Sequence, residues 1–577
     1  MIEGSIWKNK GFLSYLFIAF LNAFTDVGHK IILNAVLMKH YHGSELTGFI
    51  VILNGFILLP FVLTFTPAGF LSNKFPKSTI MRLSAFFSIP ITLMITVTYW
   101  TGQFWISFYL LFILAFQSAI YGPAKYGYIK ELVGKGRLAM GNGLTQAFTV
   151  VAILLATFGY SLLFEFIYTG DGTESLSETL RSVKYLGVLL VIGATVESLL
   201  SLRLRKTKKT DVQLSFHVKK YMKAGYLIEN LSFIKTNKVI RLSIVGLACF
   251  WAVNQVLLSS FLPFFMEVTE SNNVSLAMGV LALAGVGLII GSVLTGKVSK
   301  NYIEMAGVPV GAVGMVACLL TLPSLSHPFS LGLLMFCYGL FGGLFVVPLN
   351  ALIQFNAGEK KMGWVLAGYH FIEKLIMLLF LGATYYFSLQ ETKETTLFYI
   401  LFVVLLIGSL FTLYHLPQSM IRIVRLKFSR LKIKVQGFNN IPSEGGVLLL
   451  GESFNLWKWA CLSIVSPRPI RLIVDSSLYP QWKKCVLLKV FKMISVENES
   501  LEKGFVEIKN ALKNEVVGVL SLDFLGHEDQ QGSFKGKLEK AIGVTGVRVL
   551  QFNIQGIKQT PHSLSDQGIV VSFGVVK

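Results

Sequence analysis

Residues 23–30 read Ala23-Phe24-Thr25-Asp26-Val27-Gly28-His29-Lys30, and they lie inside the first long apolar run of the chain, Gly11 to Met38. Asp26 and Lys30 are four residues apart, so they share one face of a helix. Each charge at membrane depth costs roughly 2.5–3.5 kcal/mol, and such residues usually face a bundle interior or a wet cavity. We therefore predict that Asp26 and Lys30 interact at a site inside a helical bundle. The alternatives are a structural pair that joins two helices and a position of both charges near the membrane surface.

The composition of the whole chain is that of a membrane protein. Its 577 residues are 53% hydrophobic and 14% charged, with a mean hydropathy of +0.63. The formal net charge is +21, which in a membrane protein indicates topology and anionic headgroups rather than nucleic acid. The five cysteines are scattered and show neither metal-ligand spacing nor a disulfide framework. We expect no metal and no cofactor.

Twelve apolar segments are each long enough to cross a hydrocarbon core about 30 Å thick. The longest polar break, about 203–239, divides them into six and six. This pattern predicts an all-α polytopic membrane protein in two six-helix halves, 1–202 and 240–417. The predicted spans are 12–38, 47–72, 79–99, 104–123, 141–164, 185–202, 240–265, 274–296, 303–323, 329–351, 363–387 and 396–416.

Basic residues concentrate in alternate loops of this layout. The loops that follow the even-numbered spans carry most of the lysines and arginines, whereas the opposite loops have few beyond Lys393. Positively charged loops remain on the cytoplasmic side. We therefore expect both termini, and everything after residue 417, in the cytoplasm.

Two sets of six spans around a basic linker resemble the major facilitator superfamily, in which the two halves rock about a midplane site. The segment Gly69–Lys77 resembles the loop signature that follows the second span in that superfamily. Asn73 stands where the signature has an acid, so a charge-based gate would be weaker. The resemblance implies a gate built from Gly69, Asn73, Lys74 and Arg137.

Three blocks resemble the bacterial lysophospholipid transporters more closely: Asn22–Lys30, Tyr121–Tyr128 with Arg137–Gly143, and Gly343–Gln354. This resemblance covers about residues 5–417. It implies a flippase that moves lysophospholipid, chiefly lysophosphatidylethanolamine, from the outer to the inner leaflet of the bacterial cytoplasmic membrane. Gln146, Trp364 and Tyr369-His370 depart from the family pattern, which leaves the headgroup preference open.

A lysolipid carrier needs polar groups for the head and an apolar path for the tail. Polar side chains inside the apolar spans, together with those in the resembling blocks, are the candidates for this role. For any single Gln or His, an interhelical hydrogen bond is the structural alternative, and for Glu373-Lys374 it is a pair at the membrane interface. The candidate binding residues are Asp26, Lys30, Lys125, Tyr126, Asn142, Gln146, Gln255, Asn350, Gln354, His370, Glu373 and Lys374.

The last 160 residues change in character. Basic residues alternate with apolar ones from Arg422 to Lys434, which suits a segment lying on an anionic leaflet. Strand-like runs then alternate with helical ones, and this predicts a cytoplasmic α/β domain over 418–577. The expected strands are 446–450, 470–474, 516–522 and 548–554; the expected helices are 457–465, 480–493, 501–513 and 536–542.

This region resembles glycerolipid acyltransferases of the 1-acylglycerol-phosphate type, through Val435–Pro442 and Arg468–Asp475. That family uses a His, four residues, then an Asp, with the His as general base. The aligned residues here are Ser453 and Lys458, while Leu525 replaces the glutamate of the phosphate-binding block and Gln530 an arginine. We therefore predict an acyltransferase fold without catalysis.

Three functions remain open at this point. The first is a flippase whose inactive acyltransferase-like domain assists lipid hand-off or regulation. The second is a transporter that also re-acylates the lysolipid, and the third is a carrier of another amphiphile with a structural C-terminal domain. The expected partners are membrane phospholipids and lysophospholipids, with a separate acyl-carrier-protein synthetase or acyltransferase as a further partner and no nucleic acid.

Overall fold

The computed structural model has a helical membrane part and a C-terminal sheet. It describes residues 6–41, 43–168, 170, 174–205, 214–271, 273–299, 302–390, 392–415, 433–442, 445–451, 456–468, 470–475, 494–496, 508, 510, 512, 517–521, 548–555 and 569–575.

The first half of the membrane part contains eight helices, some of which pair into one bent span. They are α1 (Lys10–His40), α2 (Gly43–Leu63), α3 (Phe65–Lys74), α4 (Lys77–Thr101), α5 (Phe104–Val133), α6 (Leu138–Ile167), α7 (Leu176–Ser182) and α8 (Tyr185–Ser201). The linker forms α9 (Val218–Met222) and α10 (Gly225–Thr236). The second half contains α11 (Lys238–Thr269), α12 (Val274–Val298), α13 (Gly307–Thr321), α14 (Pro328–Asn356), α15 (Met362–Leu389) and α16 (Glu394–His415).

Ten helices of the described residues are long and apolar enough to cross a membrane, or up to twelve if each bent pair is one span. The bent pairs are Gly48–Leu63 with Phe65–Lys74, at 53°, and Leu176–Ser182 with Tyr185–Ser201, at 59°. The protein is therefore a multi-pass membrane protein of ten to twelve spans. Most helices extend beyond the predicted apolar segments because their ends are polar turns that a hydropathy pattern leaves out.

Glycines let α12 and α14 approach closely in the second half. A Cβ added at Gly339 of α14 would overlap the carbonyl oxygen of Ala284, and one at Gly287 of α12 would overlap the carbonyl oxygen of Phe336. Small residues at such contacts bring helix backbones together and allow dense packing, which is the main source of association between helices in lipid. The two helices form the most extensive helix pair of the described chain.

Replacement of Gly339 by alanine is expected to lower the free energy of unfolding by about 1–3 kcal/mol, the usual cost of overpacking a tight contact. Gly382→Ala is the matched control, because a Cβ there meets no atom within 4 Å. Thermal unfolding of the detergent-solubilised protein should show a lower midpoint for Gly339→Ala alone. Equal midpoints for both variants would contradict this account of the packing.

The linker contains two helices and contacts the bundle, whereas the sequence predicts only a basic linker. Tyr226 of α10 stacks on Trp364 of α15, with ring centroids 5.3 Å apart, and Asn230 Nδ2 donates to the Trp364 carbonyl at 2.6 Å. Phe216, just before α9, contacts Phe70 of α3 at 5.1 Å. The linker therefore contacts both halves.

The C-terminal region contains seven described strands, β1 (Ile433–Gln436), β2 (Val447–Gly451), β3 (Ile470–Asp475), β4 (Ile494–Val496), β5 (Val517–Ser521), β6 (Arg548–Gln555) and β7 (Ile569–Val575), and one helix, α17 (Leu456–Val465). The sheet order is β1-β7-β6-β2-β5-β3-β4. All neighbouring pairs are parallel except β6 and β7. This mixed sheet agrees with the predicted α/β class.

The predicted strands correspond to β2, β3, β5 and β6, and the first predicted helix corresponds to α17. The pattern missed β1, β4 and β7; β1 falls at the end of the segment that we expected to lie on the membrane. The predicted helices 480–493 and 536–542, the basic segment as far as Lys432, and Ser453, Leu525 and Gln530 lie outside the described residues. Of 501–513, only 508, 510 and 512 are described, and all three are helical.

The sheet region meets the membrane part at one turn. The ring of Phe438, in the 3-10 turn Phe438–Asn440, contacts Phe355 at the end of α14, with centroids 5.5 Å apart. Asn440 Nδ2 donates to the Phe573 carbonyl of β7 at 2.9 Å and so anchors this turn to the sheet. The C-terminal domain therefore lies against the same end of the bundle as the linker.

Candidate functional site

One end of the bundle carries Lys74, Lys77, Lys130, Lys135 and Arg137, and we call it the basic end. The two halves are joined there by hydrogen bonds. Asn73 Oδ1 accepts from the Gly363 N–H at 2.7 Å. Lys130 Nζ donates to the carbonyls of Gln354 at 2.9 Å and Ala357 at 3.1 Å. These contacts close the basic end.

Asn142 and Gln354, both candidate binding residues, form a reciprocal amide pair between the halves. Asn142 Nδ2 donates to Gln354 Oε1 at 2.9 Å, and Gln354 Nε2 donates back to Asn142 Oδ1 at 2.8 Å. Both side chains are buried. The pair lies close to the basic end, because the backbone carbonyl of Gln354 also accepts from Lys130 there. Asn142 and Gln354 therefore belong to the closed contact between the halves and not to an open cavity.

The predicted gate residues lie at or next to this closure. A Cβ at Gly69 would meet Trp364 at 3.0 Å and Ala367 at 3.1 Å, so glycine there permits the close approach of α3 and α15. Lys74 lies over the Phe70 ring at 5.5 Å, and Arg137 ends the 3-10 turn Lys135–Arg137 before α6. Lys77 pairs with Glu131 within the first half. An amide therefore bridges the halves where the superfamily signature has an acid.

The two halves also pack against each other through α6 and α12 and through α2 and α15. Between α6 and α12, a Cβ at Gly285 would touch Leu154 at 3.1 Å. The hydrogen bonds described above between the halves all lie at or near the basic end.

Asp26 and Lys30 do not form the predicted pair. Asp26 Oδ2 accepts from Ser118 Oγ of α5 at 2.5 Å, and Lys30 Nζ donates to Asn54 Oδ1 of α2 at 2.8 Å. Their helix does place them on one face, but neighbouring helices offer each a nearer partner. Within the described part of the chain Lys30 makes no ion pair.

A charged cluster surrounds Asp26 in the first half. Lys125 of α5 interacts electrostatically with Asp26 and with Glu197 of α8. Glu197 is 1% exposed, and its Oε1 has no hydrogen-bond partner among the described residues. Lys125 Nζ also lies 5.8 Å from the centroid of the Tyr126 ring. Two acids thus share one ammonium group inside the bundle.

A second cluster faces it from α15. Lys374 Nζ donates to Glu373 Oε1 at 2.7 Å, and His370 Nδ1 lies 3.5 Å from Glu373 Oε2. The His370 ring contacts Tyr126 at 5.4 Å and Phe61 of α2 at 6.1 Å, both in the first half. Tyr126 therefore lies between the two clusters, and charges from both halves meet at their interface.

The remaining candidates lie in the bundle without joining these clusters directly. Asn350 Nδ2 donates to the Val346 carbonyl of its own helix at 3.2 Å, a bond within one helix rather than the interhelical one considered for single polar residues. Gln146 is 8% exposed on α6, and Gln255 is 9% exposed on α11. The structure therefore brings together Asp26, Lys125, Tyr126, His370, Glu373 and Lys374, with Lys30 on the same helix as Asp26.

The Major Facilitator Superfamily profile matches residues 15–381. The chain belongs to the major facilitator superfamily. Solved members share its fold: the chain resembles FucP in the outward conformation with a TM-score of 0.57 and 16% identity, over 70% of this chain and 98% of that one. It resembles the human organic anion transporter MFSD10 with a TM-score of 0.52 and 12% identity, over 70% and 99%.

Curated superfamily members related to the chain include lysophospholipid transporters named LplT. The protein of Photorhabdus laumondii is 24% identical over 382 residues, which is 65% of this chain and 87% of the relative. That of Citrobacter koseri is 27% identical over 387 residues, 66% of this chain and 88% of the relative. The relationship is distant, and the superfamily match ends before the sheet region.

Within this superfamily fold, sequence reasoning missed three residues of the charged clusters. Glu197 is a lone acid in the predicted span 185–202. A charge inside an apolar span is the signal that could have identified it as a candidate. Ser118 and Asn54 gave no such signal, because a single hydroxyl or amide in an apolar helix commonly bonds to its own backbone or to a neighbouring helix. Their roles follow from the packing of α2 and α5 against α1.

Proposed function

We propose that the chain is a lysophospholipid transporter that moves lysolipids, such as lysophosphatidylethanolamine, to the inner leaflet by alternating access. Support comes from the distant similarity to LplT proteins across the membrane part. The arrangement of charges at the interface between the halves gives independent support.

The observation that carries the proposal is the state of Lys30. Its ammonium group is inside the bundle, and its hydrogen-bond partner is the neutral amide of Asn54. A half-buried ammonium that makes no ion pair among the described residues can bind an anion, because charge pairing offsets the cost of its partial burial. The phosphodiester of a lysolipid is such an anion, while Asp26, Glu197 and Glu373 suit the ammonium group of an ethanolamine head.

The acyl tail needs an apolar path. Aromatic side chains flank the charges where the halves meet: Phe61 adjoins His370, and Phe65 contacts Phe371 at 5.0 Å. We propose that the halves part laterally away from the basic end, so that the tail remains in the bilayer while the head enters. Each CH₂ kept out of water contributes about 0.8 kcal/mol, so a sideways opening suits this substrate far better than an aqueous channel.

We propose that transport runs from the outer to the inner leaflet. With the basic loops in the cytoplasm, closure of the basic end is consistent with a state that accepts a headgroup from the outer leaflet. Release inward requires the halves to separate at Asn73–Gly363 and Asn142–Gln354. We assign the protein to the bacterial cytoplasmic membrane, with both termini and the 418–577 domain in the cytoplasm.

We further propose that the sheet domain is an acyltransferase-like domain that does not catalyse transfer. The contact between Phe438 and Phe355 supports a position of this domain near the inward exit. A position at the exit suits hand-off of the lysolipid to a separate acyltransferase or acyl-carrier-protein synthetase.

The test is lysolipid translocation in proteoliposomes. Labelled lysophosphatidylethanolamine is added to the outer leaflet, and albumin extracts whatever has not crossed. We expect the fraction resistant to albumin to rise faster with the protein than in protein-free vesicles. Uptake of fucose or an amino acid at a rate comparable with that of lysolipid would contradict the proposal.

A further inference from the structure

Helix α10 of the linker has two different faces, whereas α9 has no buried residue. One face is buried against the bundle, where Tyr226, Asn230 and Ile234 are 7%, 5% and 4% exposed. The stacking of Tyr226 on Trp364 and the hydrogen bond from Asn230 fix this face to the first turn of α15. The linker is therefore held at the level where α15 enters the membrane.

Large apolar side chains are exposed on α9 and on the opposite face of α10. Val218 is 63% exposed, Met222 77% and Ile228 65%. These residues belong to the linker and not to a membrane-spanning helix. Clustered apolar side chains outside the spans usually mark a binding surface.

Lysines lie among these apolar residues. Lys219, Lys220 and Lys223 are all exposed on or directly after α9. Lys220 pairs with Glu229 at 2.6 Å, and the hydrogen bond to that carboxylate raises the pKa of Lys220. The surface therefore combines apolar side chains with a cluster of positive charge, the combination that binds at an anionic membrane interface.

We propose that α9 and α10 bind the anionic phospholipid headgroups of the leaflet at the basic end. Val218, Met222 and Ile228 enter the interface between headgroups and acyl chains, and Lys219 and Lys223 contact the phosphates, while Lys220 remains paired with Glu229. A bilayer is the occupant that fits, because the buried face already holds the linker at membrane height and the exposed face has matching charge.

This binding has a consequence for the gate. Phe216 contacts Phe70 of α3 in the first half, while Tyr226 stacks on Trp364 of α15 in the second half. The linker thus bridges the two halves on the closed side. Anionic lipid bound to it stabilises the closed basic end, and a leaflet without anionic lipid weakens that closure.

The test compares hydrogen exchange of the full-length protein in two nanodiscs, one of phosphatidylcholine alone and one in which a third of the lipid is phosphatidylglycerol. We expect slower amide exchange across 218–236 in the second nanodisc. The double variant Lys219→Gln/Lys223→Gln, which leaves the Lys220–Glu229 pair intact, should lose this difference. Each lysine near an anionic surface contributes about fivefold to affinity, and high salt should reduce the effect.

The matched control is Lys8→Gln/Lys10→Gln. It removes two exposed charges at the start of α1, at the basic end of the bundle but outside the linker. This variant should keep the lipid-dependent protection. Met222→Glu/Ile228→Glu, at exposed positions, should lose it without affecting folding. Equal exchange in both nanodiscs, or protection that survives the double lysine substitution, would overturn the proposal and indicate that something other than anionic lipid covers this face.

Discussion

Replacement of Lys30 by methionine should reduce lysophosphatidylethanolamine translocation about 10- to 100-fold at low substrate. A hydrogen bond to a charged group contributes about 1.5–3 kcal/mol, and methionine keeps most of the side-chain volume while removing the charge. The albumin-resistance assay measures the rate. Because the proposed partner of Lys30 is the phosphate, the loss should apply to lysolipids with different headgroups alike.

The matched control is Lys39→Met on the same helix. Lys39 pairs with Glu165 at 3.0 Å near the outer end, where the two side chains are 29% and 63% exposed. Exposed ion pairs of this kind contribute little, about 0–1 kcal/mol, so translocation should stay near that of the unmodified protein. A Lys30→Met protein that transports as fast as Lys39→Met would refute the assignment of Lys30 to the phosphate.

The purified chain should transfer no acyl group from an acyl donor to lysophosphatidylethanolamine. Loss of a general base alone usually costs 10²–10⁴-fold, and the expected His and Asp positions hold Ser453 and Lys458. Lys458 lies in α17, the helix that follows β2, and this is the strand–helix unit in which the family motif would fall. Leu525 and Gln530 should remove the phosphate contacts as well.

Product formation is measured by chromatography of labelled lipid, beside a Ser453→His/Lys458→Asp variant. That variant restores the missing residue types but leaves Leu525 and Gln530 in place, so we expect it to remain far below an active acyltransferase. Clear product from the unmodified protein would mean that an unrecognised base serves the reaction and that the transporter also re-acylates its substrate.

Helix location was predictable because hydrophobic length is a local property. The segment 104–123 was recognised from its apolar residues alone, and α5 contains it entirely. The end of α5 at Val133 was not recognised, because Lys125 and Lys130 interrupt the apolar run. The helix continues through Lys130 because packing against the second half supplies acceptors for its ammonium group, the carbonyls of Gln354 and Ala357.

Strand prediction depended on how much of each strand is buried. The runs at β2 and β5 are largely apolar segments in the middle of the sheet and were found from sequence. The sequence also found β3, which carries Arg471 and Asp475, and the alternating strand β6. β1 and β7 were not, because β1 is four residues long and its partner β7 lies more than 130 residues away. Such a pairing exists only after the chain has folded.

The sequence by itself determined that the chain spans a membrane many times, that its basic loops alternate, and that Asp26, Lys30 and Glu373 are charged residues within apolar spans. These are properties of composition and order. The tertiary structure decided which charges meet: Asp26 bonds to Ser118 and not to Lys30, Asn142 joins Gln354 across the halves, and Glu197 shares Lys125. Partners are chosen by the distance between helices, and that distance is set by packing between residues far apart in the chain.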